Sequence, residues 1–365
     1  MYRLLFLYIS IASAELEMVQ VLVRHGDRAP SFTYPFDITF DVTKHFPRGF
    51  SQLTERGFDQ AKEVGSFLKK NYVGFVKNFN RRETLIRSSD KDRCIETAIG
   101  ITNTLFPGEI VPIHTFSHYK DDLLLKPNSV LCKRVEQTVK NEKIKLAETV
   151  STQYQSLFNF LSQKTGWDVD AYKISDVFNV LHRKLSNGVP QPEWVHDVIG
   201  NVTELKRQFR LIEFNSDEKS KLRTGYLLGQ LSNNMNNEAR KKLTVYVTHD
   251  ATLTSLMYSM GISNHQLIPY AAFLVVEVHK IDGKRYVKII YRHSNDSVLE
   301  QKRIPGCEVL CPLEKIHESF MVIRGLKDQN LPIFYRINKH SLCAKDLQRL
   351  QLIFLVDVFN QDNQE

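Results

Sequence analysis

Three segments of this chain follow one order: a short apolar run, then a polar loop rich in Arg, His and Asp, then in most cases a helical pattern. Residues 18–23 run into Arg24-His25-Gly26-Asp27-Arg28. Residues 84–87 run into Ser88-Ser89-Asp90-Lys91-Asp92-Arg93, with a helical pattern over 94–105. Residues 243–247 run into Thr248-His249-Asp250, with a helix expected over 252–260 and Gly261 to end it. Short apolar strands alternating with helices predict an α/β fold with a largely parallel sheet flanked by helices on both faces. In such sheets ligands bind beyond the carboxyl ends of the strands, which is where all three polar loops fall.

Between these segments the pattern changes. Leu146, Val150, Tyr154, Leu157, Phe158 and Leu161 recur at helical spacing, and residues 222–228 read as helical too. Residues 133–242 are therefore expected to form a mainly helical inserted domain, with 15–132 and 243–365 making the α/β domain. Two apolar runs, 271–279 and 285–293, flank Asp282-Gly283 and predict a hairpin. The chain has 365 residues, 42% of them hydrophobic, which suits one large domain with an insertion and argues against disorder.

The N-terminus predicts export. Arg3 precedes the apolar run 4–11, and Ala12-Ser13-Ala14 has the small-x-small form of a signal-peptidase site, so residues 1–14 read as a signal peptide. A buried first strand is the competing reading, opposed by Glu15 and Glu17 directly after the run. No later apolar run approaches the roughly 18 residues that cross a bilayer; residues 352–356 read as a packed C-terminal element. An oxidising destination makes disulfides available to the five cysteines, Cys94, Cys132, Cys307, Cys311 and Cys343. Cys307 and Cys311 are close enough for a local bridge; zinc would need two more ligands, and only His317 is near. Asn201 and Asn295 begin glycosylation sequons. The net charge of +8 is dispersed among 41 acidic residues without a basic block, which favours anionic substrates over nucleic acid.

The loops carry the chemistry. Arg24, Arg28 and Arg93 offer forked donors suited to phosphate oxygens. Their charge would depress the pKa of His25 and keep its imidazole neutral and nucleophilic in acid. His249 adds a donor, and Asp250 a carboxyl group able to protonate a leaving alkoxide. Taken singly, a strand-end Arg is usually a solvated charge, a lone His a satisfied polar group, and Asp250 a helix cap. Three such loops at three strand ends outweigh those readings. No carboxylate cluster suggests a metal.

The stretch Val21-Leu22-Val23-Arg24-His25-Gly26-Asp27-Arg28-Ala29-Pro30 resembles the signature of the histidine acid phosphatases, a branch of the phosphoglycerate mutase-like superfamily. Arg87 to Arg93 resembles the second family motif, and Thr248-His249-Asp250-Ala251-Thr252-Leu253 the third, in matching order and spacing. Pro305 to Leu313 is similar to animal secreted, lysosomal and venom-type members. The resemblance implies a metal-independent acid phosphatase, without cofactor, whose α/β domain is interrupted by a mainly helical inserted domain over the active site, acting on small phosphate monoesters or phosphoproteins in the secretory pathway, either secreted or lysosomal. It implies His25 as phosphohistidine nucleophile, Arg24, Arg28, Arg93 and His249 as phosphate ligands, and Asp250 as proton donor. It also implies bridges Cys132–Cys343 and Cys307–Cys311, and a homodimer, as in many members. Two departures stand out: residues 133–242 hold no cysteine for a third family bridge, and Cys94 follows Arg93 where the family usually has another small residue. Asp27 resembles the acid phosphatase branch, since phytases typically carry Ala there.

Overall fold

A computed structural model describes residues 14–38, 40–117, 122, 124–126, 133–236, 241–294 and 297–321. Seven strands form one sheet: β1 (Glu15–Arg24), β2 (Thr84–Ser88), β3 (Leu243–Thr248), β4 (Phe273–Ile281), β5 (Lys284–Arg292), β6 (Glu300–Lys302) and β7 (Cys311–Pro312). Their order is β2-β3-β1-β4-β5-β6, with β7 paired to β5. The three strands that carry the polar loops are parallel; from β4 onward every pairing is antiparallel. The register fixes what matters for function. Arg24 pairs with Thr248, and Ser88 with Val247, so all three loops leave the sheet at one level.

Ten helices accompany the sheet among the described residues: α1 (Val42–His45), α2 (Glu55–Tyr72), α3 (Asp92–Leu105), α4 (Lys133–Gln153), α5 (Gln155–Thr165), α6 (Ile174–Ser186), α7 (Trp194–Leu211), α8 (Asp217–Asn236), α9 (Asp250–Ser259) and α10 (Leu313–Met321). Side-chain alternation along β1 decides which cover which face. Val19, Val21 and Val23 point to one side, against Ala61, Val64 and Leu68 of α2 and Ala98, Ile101 and Leu105 of α3. Met18 and Leu22 point to the other, with Leu228 and Leu231 of α8, Leu253 and Leu256 of α9, and Ile316 of α10. Each of the Val, Leu, Ile and Met side chains among these contributes about 1.5–3 kcal/mol on burial. β3, covered on both faces, is buried at every residue, as a central parallel strand requires.

The helical stretch after residue 133 has its own core, in which Phe158, Leu161, Val177, Leu181, Val198, Val202 and Leu205 pack together. Tyr34, from the segment following β1, inserts into this core and ties it to the sheet-end loops. α8 differs from its predecessors: its apolar face lies on the sheet beside α9. The hairpin turn forms at Asp282 (φ 48°) and Gly283 (φ 77°), the two left-handed residues that a two-residue turn of this twist requires. Cys307 and Cys311 are bridged, and Cys94 is a free buried thiol. Residues 1–13, Cys132, Cys343, Asn295 and residues 352–356 lie outside the described residues. No helix among the described residues is long and apolar enough to cross a membrane.

Candidate active site

The first loop is clamped by backbone bonds before any side chain acts. His25 N–H donates to Thr248 O at 3.0 Å, and Ala271 N–H to His25 O at 3.2 Å, so the residue is stitched to both neighbouring strands. Gly26 N–H then reaches Thr97 Oγ1 of α3 at 3.0 Å, and Asp27 N–H reaches Gln60 Oε1 of α2 at 2.8 Å. α2 can approach this closely because both backbones lack a Cβ at the crossing. One added at Gly26 would lie 2.1 Å from Gly57 O, and one at Gly57 2.1 Å from Asp27 O. Asp27 itself is buried and holds three elements together, accepting from Thr54 Oγ1 (3.0 Å), Ser186 Oγ (3.4 Å) and Asn187 Nδ2 (2.5 Å).

Two hydrogen bonds set the His25 ring. Nδ1 lies 2.8 Å from Gly26 O, a group that only accepts, so Nδ1 carries the proton. Nε2 accepts from Arg93 Nε–H at 3.3 Å, so its lone pair points toward the Arg93 guanidinium. Burial, then Arg24, Arg93 and His249, drive the His25 pKa well below the ordinary histidine value, so the ring stays neutral in acid. The depression expected from arginine charge is present, through Arg24 and Arg93, but desolvation is its largest cause.

The structure brings the remaining candidates to the same place. The Arg24 guanidinium lies 4.0 Å from the centre of the Tyr270 ring and donates to Ile268 O. Arg28 donates to Ala29 O at 2.9 Å and Ser31 Oγ at 3.1 Å; burial foremost lowers it to about 9, which leaves it charged in acid. The His249 ring sits edge-on to His25 with centroids 5.6 Å apart, and its Nε2 is 3.0 Å from Ser89 Oγ. Burial, then Arg93, lower His249 to about 3. Cys94 packs behind His249, its Sγ 3.8 Å from Nε2, and burial pushes the thiol up to about 12. It is a space-filling group, not a nucleophile.

Asp250 opens α9, but it does not cap the helix. The N-cap position falls on His249 and has no side-chain cap bond. The Asp250 carboxylate instead forms an ion pair with Arg210 of α7, Oδ2 to Nη2 at 2.8 Å. Burial alone would raise its pKa; Arg210, then Arg24 and Lys206, outweigh burial and hold it well below the usual carboxylate range. Asp250 keeps 31% of its side chain exposed. Arg210 is shared with Glu213 at 2.9 Å.

Sequence reasoning missed Arg210, Tyr270, Ser89, Thr97, Gln60 and Gly57. Ser89 lies inside a loop already singled out and was legible there; the others reach the site only through tertiary packing. Of the remaining candidates, Asn201 is exposed on α7 and accessible to a glycan. Among the described residues no group of three or more His, Cys, Asp or Glu side chains is placed to hold a metal.

A neutral imidazole bonded by Arg93 and acted on by Arg24, with Arg28 and an ionised carboxyl group in the same cluster of charges, has the chemistry of a phosphoryl-transfer site with a histidine nucleophile. Comparison with known proteins agrees. The family profile of the histidine phosphatase superfamily (branch 2) matches residues 15–292. Prostatic acid phosphatase of Mus musculus is 31% identical over 329 residues, covering 83% of this chain and 85% of the relative. Lysosomal acid phosphatase of Bos taurus is 31% identical over 324 residues, covering 82% and 76%. The solved phytase of Citrobacter braakii shares the fold with a TM-score of 0.69 at 15% identity, covering 84% of this chain and 97% of that one. The chain belongs to the histidine phosphatase superfamily, branch 2, and is an enzyme of its acid phosphatase type, a family that works through a phosphohistidine.

Proposed function

We propose that His25 Nε2 takes the phosphoryl group of a phosphate monoester, with Arg24, Arg28, Arg93 and His249 on its oxygens and Asp250 serving the leaving oxygen. The observation that carries this reading is the pair of hydrogen bonds on His25: the proton is committed to Gly26 O on one side, and Nε2 faces an arginine on the other.

The resting ionisation of Asp250 shapes the proton path. A phosphate monoester has its second pKa near 6, so in acid it arrives as a monoanion with one proton. Arginine donors favour the dianion, and that proton passes to the Asp250 carboxylate. Nε2 then bonds phosphorus as the P–O bond to the leaving group breaks, and Asp250 returns the proton to the departing oxygen. In the second half, Asp250 takes a proton from water as its oxygen attacks phosphorus and the N–P bond breaks. Asp250 then passes that proton to the departing phosphate, which restores the carboxylate; the products are an alcohol and monoanionic phosphate.

The helices α4–α7, within the insertion expected over residues 133–242, serve as a cap over this site, while α8 of that stretch lies on the sheet. The Ala12-Ser13-Ala14 pattern, and relatives named prostatic and lysosomal acid phosphatase, support passage through the secretory pathway to a secreted or lysosomal destination, with sugars on Asn201 and Asn295. Small phosphate monoesters and phosphoproteins are the substrates expected, and a homodimer the expected assembly. Turnover of p-nitrophenyl phosphate at acidic pH without added metal, abolished in His25→Ala, tests the catalytic reading. Substantial turnover by that variant would remove His25 from the mechanism.

A further inference from the structure

Residues 268–272 lie directly beside the nucleophile loop. Two backbone bonds tie them there: Arg24 N–H donates to Ala272 O at 2.9 Å, and Ala271 N–H donates to His25 O at 3.2 Å. These bonds carry the antiparallel contact of β1 and β4 past its last pair, Val23 with Phe273. Just before them the chain turns. Ala272 N–H closes on Pro269 O at 3.3 Å, and Ala271, the third residue of that turn, has φ 54°. A positive φ at this turn position is usually supplied by glycine. Alanine holds it at a cost, and such costs persist where the surrounding structure enforces the shape.

The turn places Tyr270, its second residue. The ring lies over the Arg24 guanidinium, 4.0 Å from Cζ to the ring centre, and it tilts 43° against the His25 ring with centroids 5.7 Å apart. Two residues earlier, Ile268 O accepts from Arg24 Nη1. One short segment therefore holds Arg24 from two directions. Its Nε–H is buried without a partner among the described residues, a donor left for an incoming oxygen.

Both groups that hold Arg24 are uncharged. Arg210 differs, since its charge is shared with Asp250 and Glu213. Asp250 acts on Arg24 electrostatically but makes its ion pair with Arg210. A carboxylate against Arg24 would compete with phosphate oxygens for its donors and cancel charge that helps to keep His25 neutral. A ring face attracts the cation and leaves its N–H donors unspent.

We propose that Tyr270 is a positioning residue for phosphoryl transfer: its ring fixes the Arg24 guanidinium, which in turn fixes the phosphoryl group against His25 Nε2. This rests on the phosphatase reading above and deepens it.

A double-mutant cycle on kcat/KM tests the role, because Tyr270 should matter only while Arg24 is there to be held. Tyr270→Leu should lower kcat/KM by about 10- to 100-fold, and equally for glycerol phosphate and p-nitrophenyl phosphate, since the guanidinium serves the phosphoryl oxygens. Tyr270→Phe restores the ring face and should recover all but about 3-fold of that loss. In an Arg24→Met background, Tyr270→Leu should cost less than about 2-fold. Tyr270→Met carries the same cycle if the Leu variant fails to fold. Losses that simply multiply, a loss confined to the aryl ester, or a Phe variant as poor as Leu would each overturn the role of Tyr270. With His25-dependent turnover of the wild type intact, the phosphatase reading would survive those results. A wild type whose turnover does not depend on His25 would overturn both.

Discussion

Asp250 and Arg210 form a 2.8 Å ion pair that joins the start of α9, at the sheet end, to α7. Arg210 opposes burial and keeps the carboxylate ionised, so α7 helps to set the pH range in which Asp250 holds a proton. Replacing Arg210 with Met removes the largest depressing charge, and the Asp250 pKa must rise. The basic limb of the kcat profile for an alkyl phosphate should then move to higher pH. An unmoved limb would show that Arg210 does not govern this proton.

Leaving-group chemistry probes the same carboxylate. A p-nitrophenolate departs readily without a proton, whereas an alkoxide does not. Asp250→Asn should slow glycerol phosphate hydrolysis by about 100- to 10,000-fold and p-nitrophenyl phosphate hydrolysis far less. Equal losses on both substrates would point to a positional or electrostatic role.

The neutrality of His25 is open to direct titration. Its pKa is depressed, so the protonated form should accumulate only well below the ordinary histidine value of 6.5. An NMR titration of the His25 ring should show no midpoint near 6.5. A midpoint there would mean that burial and the neighbouring arginines leave the nucleophile unshifted.

The glycine crossing makes a paired prediction. Gly57→Ala drives a methyl into Asp27 O and should displace the nucleophile loop, lowering kcat/KM by about 100-fold and stability by about 1–3 kcal/mol. Gly200 lies in α7 with open space around it, so Gly200→Ala should leave turnover intact and stabilise by up to about 1 kcal/mol. Denaturant unfolding and kinetics on both variants give the answer; equal behaviour would contradict the close-packing account.

The strands bearing the arginines were legible because a parallel strand buried on both faces reads as an apolar run, and because their loops are local in sequence. Residues 18–23, 84–87 and 243–247 each became a strand, and Asp282-Gly283 became the turn of a hairpin. Nothing local shows that β4 pairs antiparallel to β1, which brings Tyr270, just before β4, against His25. Arg210 was equally hidden. It sits in an amphipathic helix among other charges, and only the packing of α7 near α9 distinguishes it from Arg207, which turns to Glu204 and His265 O. Gly57 and Thr97 matter through backbone approaches that no spacing rule encodes.

The covalent step is the centre of this account, and trapping it is the most direct test. A reaction with a labelled phosphate ester, quenched in alkali within the first turnovers and digested, should yield phosphate on the peptide containing His25. That adduct should survive alkali and be lost in acid, as a phosphoramidate is. Burst kinetics without label on His25, or label on another residue while His25→Ala still turns over, would contradict it.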